Sequence, residues 1–452
     1  MQKSLPIGRS TMAALLCCSF LLSQQATASS SIDSLTSTTD SFENTTPQNE
    51  ASDLHFASTQ YDINGAFVPL TVAPSPIENT KEVKWYDKIS LRGYTQIRYN
   101  RLLETNSKLK CEQCDRSWGE NGGFFIRRMR LIFFGQISER VYFYIQPDIA
   151  SNASSTNLHY AQLRDAYFDV GLDSKNEYRL RIGQSKVPFG FENMQSSQNR
   201  LPLDRNDALN SAVSNERDLG VFFYWAPSKV RKLYASLVRD GLKGSGDYGV
   251  FALGVYNGQI ANKPELNNKP HIVSRVSYPI QLGNQIIEPG IQAYAGDYTL
   301  ASDAISKGTK FKTDRNYIDR RLAGSFILYP KPFGIQAEYN IGKGPEFNKI
   351  TDSIEHKNLA GGYITASYFL HLKNQILIPF VRAQHYNGGK KHELDARSYQ
   401  VKELEIGAEW QPYKTFELVV MYTFSSRRFE DYVLRDNFQT GRLLRIQAQL
   451  NF

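Results

Sequence analysis

The chain has 452 residues, a formal charge of +8, 41% hydrophobic residues, 26 Tyr and 26 Phe, and a mean hydropathy of −0.43. Beyond residue 28 no run approaches the ~18 uninterrupted apolar residues of a spanning helix. That excludes a helical membrane protein and leaves an exported soluble protein or a closed barrel, because only helices and barrels satisfy every backbone group in lipid. Many aromatics in a polar chain suit a barrel wall that is apolar outside, wet inside and girdled by aromatic belts.

The first 28 residues read as a secretory signal. Lys3 and Arg9 give a positive start, Met12 to Leu22 form a short apolar core, and Ala26-Thr27-Ala28 is a cleavage site. Removing Lys3 and Arg9 would take the charge from +8 to +6. Such a modest basic excess suits anionic solutes, anionic lipid or solubility; nucleic acid is not a partner to expect outside the cytoplasm. Residues 29–88 are Ser/Thr-rich with Pro69, Pro74 and Pro76, too poor in apolar side chains to fold alone, and read as a flexible polar segment.

From Leu91 onward, residues 89–452 show period-two alternation. Ile446, Ala448, Leu450 and Phe452 share one face while Arg445, Gln447, Gln449 and Asn451 share the other. Candidate strands near 91, 124, 140, 161, 178, 218, 248, 272, 286, 318, 333, 359, 376, 401, 415 and 443 number 16. Strands of about ten residues match a tilted membrane strand, whereas soluble sheets mostly use five or six. Short turns, as at Ser138-Glu139 and Pro412-Tyr413-Lys414, alternate with long polar loops at 101–123, 150–160, 187–217, 297–316, 343–358, 387–400 and 425–441. The pattern predicts an all-β, 16-stranded antiparallel transmembrane barrel. Lys232 to Val238 looks strand-like but would make the count odd, so 227–247 reads as an insertion or an extended hairpin.

If the apolar set faces lipid, the opposite set lines the lumen and decides what passes. Arg92, Arg98, Arg128, Arg130, Arg181, Arg275, Arg321, Arg382 and Arg445 fall on that inward set, with Asp148, Asp165, Asp169, Glu338, Glu403, Glu405 and Glu409. An Arg facing mid-bilayer lipid would cost roughly 2–4 kcal/mol. Successive guanidiniums offer charged donors to an oxyanion, so the expected solutes are small anions. The segment 187–217 is too long for a tight hairpin. Two placements are open: a loop folded into the barrel, bringing Lys186, Arg200, Arg205 or Arg217 to a constriction, or an outer loop facing solvent or another subunit. Cys111 and Cys114 read as a small loop disulfide, since the compartment is oxidising.

Catalytic and cofactor chemistry finds no support. The seven histidines are scattered, no nucleophile elbow, zincin or phosphate-loop motif is present, and no ligand set is spaced for a metal. An enzyme is therefore not expected. Three readings of a barrel stay open: an anion-preferring pore, a non-selective diffusion pore, and a surface barrel acting mainly as adhesin or antigen.

Several blocks carry a resemblance. FFIRRMRLIFFGQISERVYFYIQPDIA, LRDAYFDV, RIGQSKVPFGFENMQSS and NERDLGVFF, followed by RVSYP, PFVRAQHY and LLRIQAQLNF, resemble the phosphate-selective porin O/P family in letters, order and spacing over about residues 90 to 452. The resemblance implies a 16-stranded outer-membrane barrel, commonly a homotrimer, with an arginine-lined path and an inward-folded third loop. On this chain Arg128 and Arg130 match the family's inward arginine pair. Gln184, Lys186, Pro188, Phe189 and Gly190 match the block leading into the constriction loop, and Phe452 resembles the terminal signal read by the outer-membrane assembly machinery. Ile132 and Phe134 depart from the family pattern, standing inward where phosphate-binding members tend to be smaller or polar.

Overall fold

The computed structural model describes residues 84–111, 114, 118, 122–151 and 159–452. The signal sequence read over 1–28, and all but the last five residues of the 29–88 segment, lie outside them.

Period-two alternation builds one closed antiparallel barrel. Its staves in chain order are β1 Ser90–Leu102, β2 Gly123–Gln136, β3 Val141–Ser151, β4 His159–Gly171, β5 Tyr178–Lys186, β6 Arg217–Trp225, β7 Phe251–Tyr256 and β8 His271–Ser277. They continue as β9 Gln285–Thr299, β10 Asn316–Leu328, β11 Phe333–Asn348, β12 Ser353–Tyr368, β13 Gln375–Gly389, β14 Ser398–Tyr413, β15 Phe416–Glu430 and β16 Phe438–Asn451. Two short segments extend existing staves rather than adding new ones. Ile280–Leu282 continues β8 along β9 after Pro279, which lacks an N–H for the ladder. Leu370–Leu372 likewise continues β12 along β13. The count is therefore 16, and each predicted strand has an observed stave that begins within six residues of its expected start.

β1 pairs with both β2 and β16, which closes the wall. At that seam Gly93 N–H donates to the Phe452 carbonyl (2.7 Å) and Phe452 N–H donates back to Gly93 (3.0 Å). A Cβ at Gly93 would meet the Phe452 ring and the Arg130 carbonyl at 2.6 Å, so only glycine admits this approach. Along the staves the outward set is exposed and apolar, as at Leu91, Ile291, Leu322, Ile364 and Leu450. The inward set is buried and largely polar, including the acids predicted for it.

Three expectations are corrected. Of the two readings of 227–247, the insertion holds and the extended hairpin does not: the segment adds no strand and carries a helix, α1, Ser228–Arg239. Its Val230, Leu233, Tyr234 and Leu237 follow helical spacing, and Glu177 accepts from Ser228 N–H and Oγ (2.8 and 2.7 Å), placing negative charge at the helix start. The helix packs on the inward side chains Ile286, Ile327 and Tyr329. The loops at 343–358 and 425–441 are shorter than their polarity suggests, because paired strand continues to Asn348, Ser353, Glu430 and Phe438. Only 349–352 and 431–437 connect those staves; a polar two-stranded ladder needs no lipid to persist. Conversely, 257–270 is a long connection that the alternation did not single out.

Candidate functional site

The interior has two sides with different occupants. Against β9–β16 lies the segment 187–216, which carries two single-turn helices, Phe191–Met194 and Asp207–Asn210. Its exposed N–H groups are met by side chains of the wall. Glu338 accepts from Phe191 N–H (2.6 Å) and Glu192 N–H (2.9 Å), and Gln384 accepts from Asp207 N–H (3.0 Å). This is how short helices with few internal hydrogen bonds are held. Beneath them Leu201 and Leu203 pack on Ile378, Phe380, Val419 and Met421.

Five inward arginines, on β1, β8, β10, β13 and β16, are committed to that segment or to neighbouring carboxylates and carbonyls. Arg98 pairs with Asp204 (3.2 Å), as does Arg445. Arg382 is held between Glu192 (2.8 Å) and Glu405 (2.5 Å). Arg321 donates to the Ala208 carbonyl (3.1 Å) and Ser211 Oγ (2.7 Å). Arg275 donates to Glu288 (2.9 Å) and the Gly249 carbonyl (2.9 Å), fixing the end of the connection that carries α1. All five are buried. Within the segment, burial opposes ionisation of Asp204, but Arg98 and Arg445 outweigh it and hold the carboxyl well below the usual range.

Along β1–β6 the interior is open. One cavity of about 710 Å³ is lined by Arg128, Arg130, Arg164, Arg205, Asp148 and Glu216. A second, of about 500 Å³, is lined by Arg92, Arg181, Lys186, Arg217, Asp165 and Asp169 among others. Arg130 pairs with Asp148 (3.2 Å), and Arg181 makes a two-pronged pair with Asp169 (2.7 and 2.9 Å). Glu216 serves Arg164 (2.8 Å), Arg205 (3.1 Å) and Arg217 (2.6 Å) at once. Burial raises the Glu216 carboxyl, yet Arg205, Arg217 and Arg164 together hold it well below the carboxylate range. Lys186 gives two of its three N–H groups to the Met194 and Gln195 carbonyls (2.9 and 2.6 Å). Arg128 donates to Gln96 (3.0 Å) and, unlike Arg130, makes no ion pair with a carboxylate among the described residues. Where the cavities adjoin, Lys186, Arg128, Arg130, Arg164, Arg205 and Arg217 face Asp148, Asp165 and Glu216, six cations against three anions.

The predicted residues are thus divided. Arg92, Arg128, Arg130, Arg181, Lys186, Arg205 and Arg217 border the two cavities. Arg98, Arg275, Arg321, Arg382 and Arg445 border neither. Arg200 is buried in the 187–216 segment, and two of its donor nitrogens have no hydrogen-bond partner. Arg164 was not predicted. Strict alternation puts it opposite Asp165, but the register slips between Gln146 and Pro147, and both residues turn inward. Cys111 and Cys114 are joined, with Cα atoms 5.4 Å apart. Nearby Trp118 is buried and covers the Arg445 guanidinium at 4.5 Å. Among the described residues no group of three His, Cys, Asp or Glu is placed to hold a metal ion.

A closed 16-stranded antiparallel barrel with an apolar exterior and a charged interior, matched by a porin family model, is an outer-membrane channel for diffusion of small solutes rather than an enzyme. The chain belongs to the phosphate-selective porin O and P family, whose model matches residues 108–452. In fold it is similar to the outer membrane channel DcaP of Acinetobacter baumannii, at 15% identity over 80% of this chain and 97% of that one, with a TM-score of 0.51. An anion-selective porin from Comamonas acidovorans aligns at 9% identity over 80% and 99% of the two chains, TM-score 0.45. Salmonella typhi OmpF in complex with daunomycin aligns at 12% identity over 82% and 100%, TM-score 0.49. No curated protein matches the sequence.

Proposed function

We propose that the channel prefers small anions and that they travel along the β1–β6 side of the lumen, narrowed by the 187–216 segment. The observation that supports this is the surplus of six cations over three carboxylates where the two cavities adjoin. Buried acids that are already shared among several arginines cannot cancel that excess. A permeating oxyanion is offered charged donors in series: Arg128 and Arg205, then Arg130 and Lys186, then Arg92. Phosphate is the solute the family's name suggests, and inorganic phosphate is the first probe to use. In the same reading residues 1–28 direct export, Phe452 presents the strand end to the assembly machinery, and the barrel is a homotrimer.

The test is the reversal potential of single channels in a KCl gradient, followed by addition of phosphate. Chloride-selective currents partly blocked by millimolar phosphate support the proposal. Large currents of no ionic preference and no block would leave a general diffusion pore.

A further inference from the structure

The 500 Å³ cavity has a feature that an inorganic anion does not need. A row of side chains crosses five neighbouring staves on the lumen face, with a guanidinium at each end. Arg92 of β1 lies over Phe134 of β2 at 5.1 Å. Phe134 stands opposite Tyr144 of β3 in the ladder, and Tyr144 stands opposite Tyr167 of β4. The two tyrosine rings are stacked, 5.2 Å apart and within 12° of parallel. Arg181 of β5 closes the row at 4.0 Å from the Tyr167 ring, its charge already met by Asp169.

Elsewhere the inward aromatic and aliphatic side chains are mostly packed under the 187–216 segment or α1, whereas Tyr142, Tyr144 and Tyr167 border open volume. Tyr167 has both faces covered, one by Tyr144 and one by Arg181. Tyr144 has only one: among the described residues no second ring or guanidinium is stacked on it, and it borders the 500 Å³ cavity. Tyr142 borders the same cavity two residues earlier, half-buried and with no ring packed on it among the described residues. The charge pattern complements these faces. Arg92 is exposed in the cavity with no carboxylate paired to it among the described residues, and Lys186 keeps one N–H uncommitted.

We propose that this row is a docking site for a small organic anion carrying one flat ring, of the aryl phosphate or aryl carboxylate class. The ring extends the stack on the open face of Tyr144, and the oxyanion is held by Arg92 and Lys186. The inference rests on the anion path proposed above and adds what that path selects.

The test compares two probes of equal charge, phenyl phosphate and methyl phosphate, as blockers of single-channel current through the full-length protein. Phenyl phosphate is expected to half-block at about one tenth the concentration of methyl phosphate, the size of one good aromatic stack. In Tyr144→Leu, which keeps apolar bulk and removes the stacking face, the ratio falls towards one while block by methyl phosphate is unchanged. Heat-modifiable migration of the variant confirms that it folds. A wild-type ratio near one overturns the ring site while leaving the anion path intact. A ratio that survives in folded Tyr144→Leu overturns it as well, because the ring is then bound elsewhere. Cation-selective currents blocked by neither probe would overturn both proposals.

Discussion

On the β9–β16 side of the interior, Arg321, Arg382 and Arg445 meet the backbone or the carboxylates of a segment some 110 to 240 residues away in sequence. On the β1–β6 side, Arg128, Arg164 and Arg205 border open volume and share too few acids. Arg128 and the arginines of the first set look alike in the alternation of their strands. What separates them is whether the 187–216 segment closes over the guanidinium or leaves it beside an open cavity, where Arg164, Arg205 and Arg217 share the single carboxylate of Glu216. A guanidinium enclosed with its buried partner by packed chain is an anchor, and one that borders open volume is available to a solute. The inward arginines of a barrel wall therefore divide into scaffold and path only once the loop that fills the lumen is placed.

Four experiments probe that division, the largest effect first. Asp204→Ala strips the shared partner from Arg98 and Arg445, both fully buried. Breaking such a pair costs about 3–5 kcal/mol, so the 187–216 segment should loosen from β1 and β16. Single-channel recordings should show larger and noisier conductance; quiet wild-type currents would mean the anchor is dispensable. At the seam joining the two sides, deleting Phe452 removes two backbone hydrogen bonds to Gly93, together worth about 2 kcal/mol. Barrel yield measured by heat-modifiable migration should drop, and Gly93→Val should mimic it by displacing the ring.

Arg128→Ala combined with Arg130→Ala should reduce anion preference by about fivefold per charge, the equivalent of ~1 kcal/mol for unit charges 4 Å apart in water. Reversal potentials read this directly, and the effect should shrink in high salt. An unchanged potential would move the path away from this wall. The smallest effect concerns pH. Asp204 has a folded-state pKa depressed by Arg98 and Arg445 against the opposing effect of burial. A depressed carboxyl contributes stability above its unfolded pKa of about 3.9 and loses it only as pH falls through the folded value. Conductance and noise should therefore stay constant from pH 8 to about pH 4. Noise rising already at pH 5 would show that the anchor is weaker than its geometry indicates.

Much of the fold was legible because a barrel strand writes its two faces into every second residue. Leu404, Ile406 and Ala408 against Glu403, Glu405 and Glu409 need no tertiary knowledge to be assigned. Local departures from the period were not legible. The slip at Gln146–Pro147 hid Arg164, and the helix at Ser228–Arg239 was misread because a short apolar run fits either period until its packing on Ile286 and Ile327 is known. The candidate site was legible only as a set of inward arginines. Their fates depend on contacts such as Arg382 with Glu192, 190 residues apart, and no local pattern encodes those.

The central claim is that solutes pass along the β1–β6 wall and not behind the 187–216 segment. Cysteine substitution with an anionic thiol reagent added during recording tests it most directly. Arg92→Cys stands in the open cavity, whereas Asn340→Cys lies on an inward face that is fully buried and borders neither of the two cavities. Modification should cut the conductance of Arg92→Cys and leave Asn340→Cys unchanged. Block at Asn340→Cys with none at Arg92→Cys would place the path on the opposite side and contradict the account.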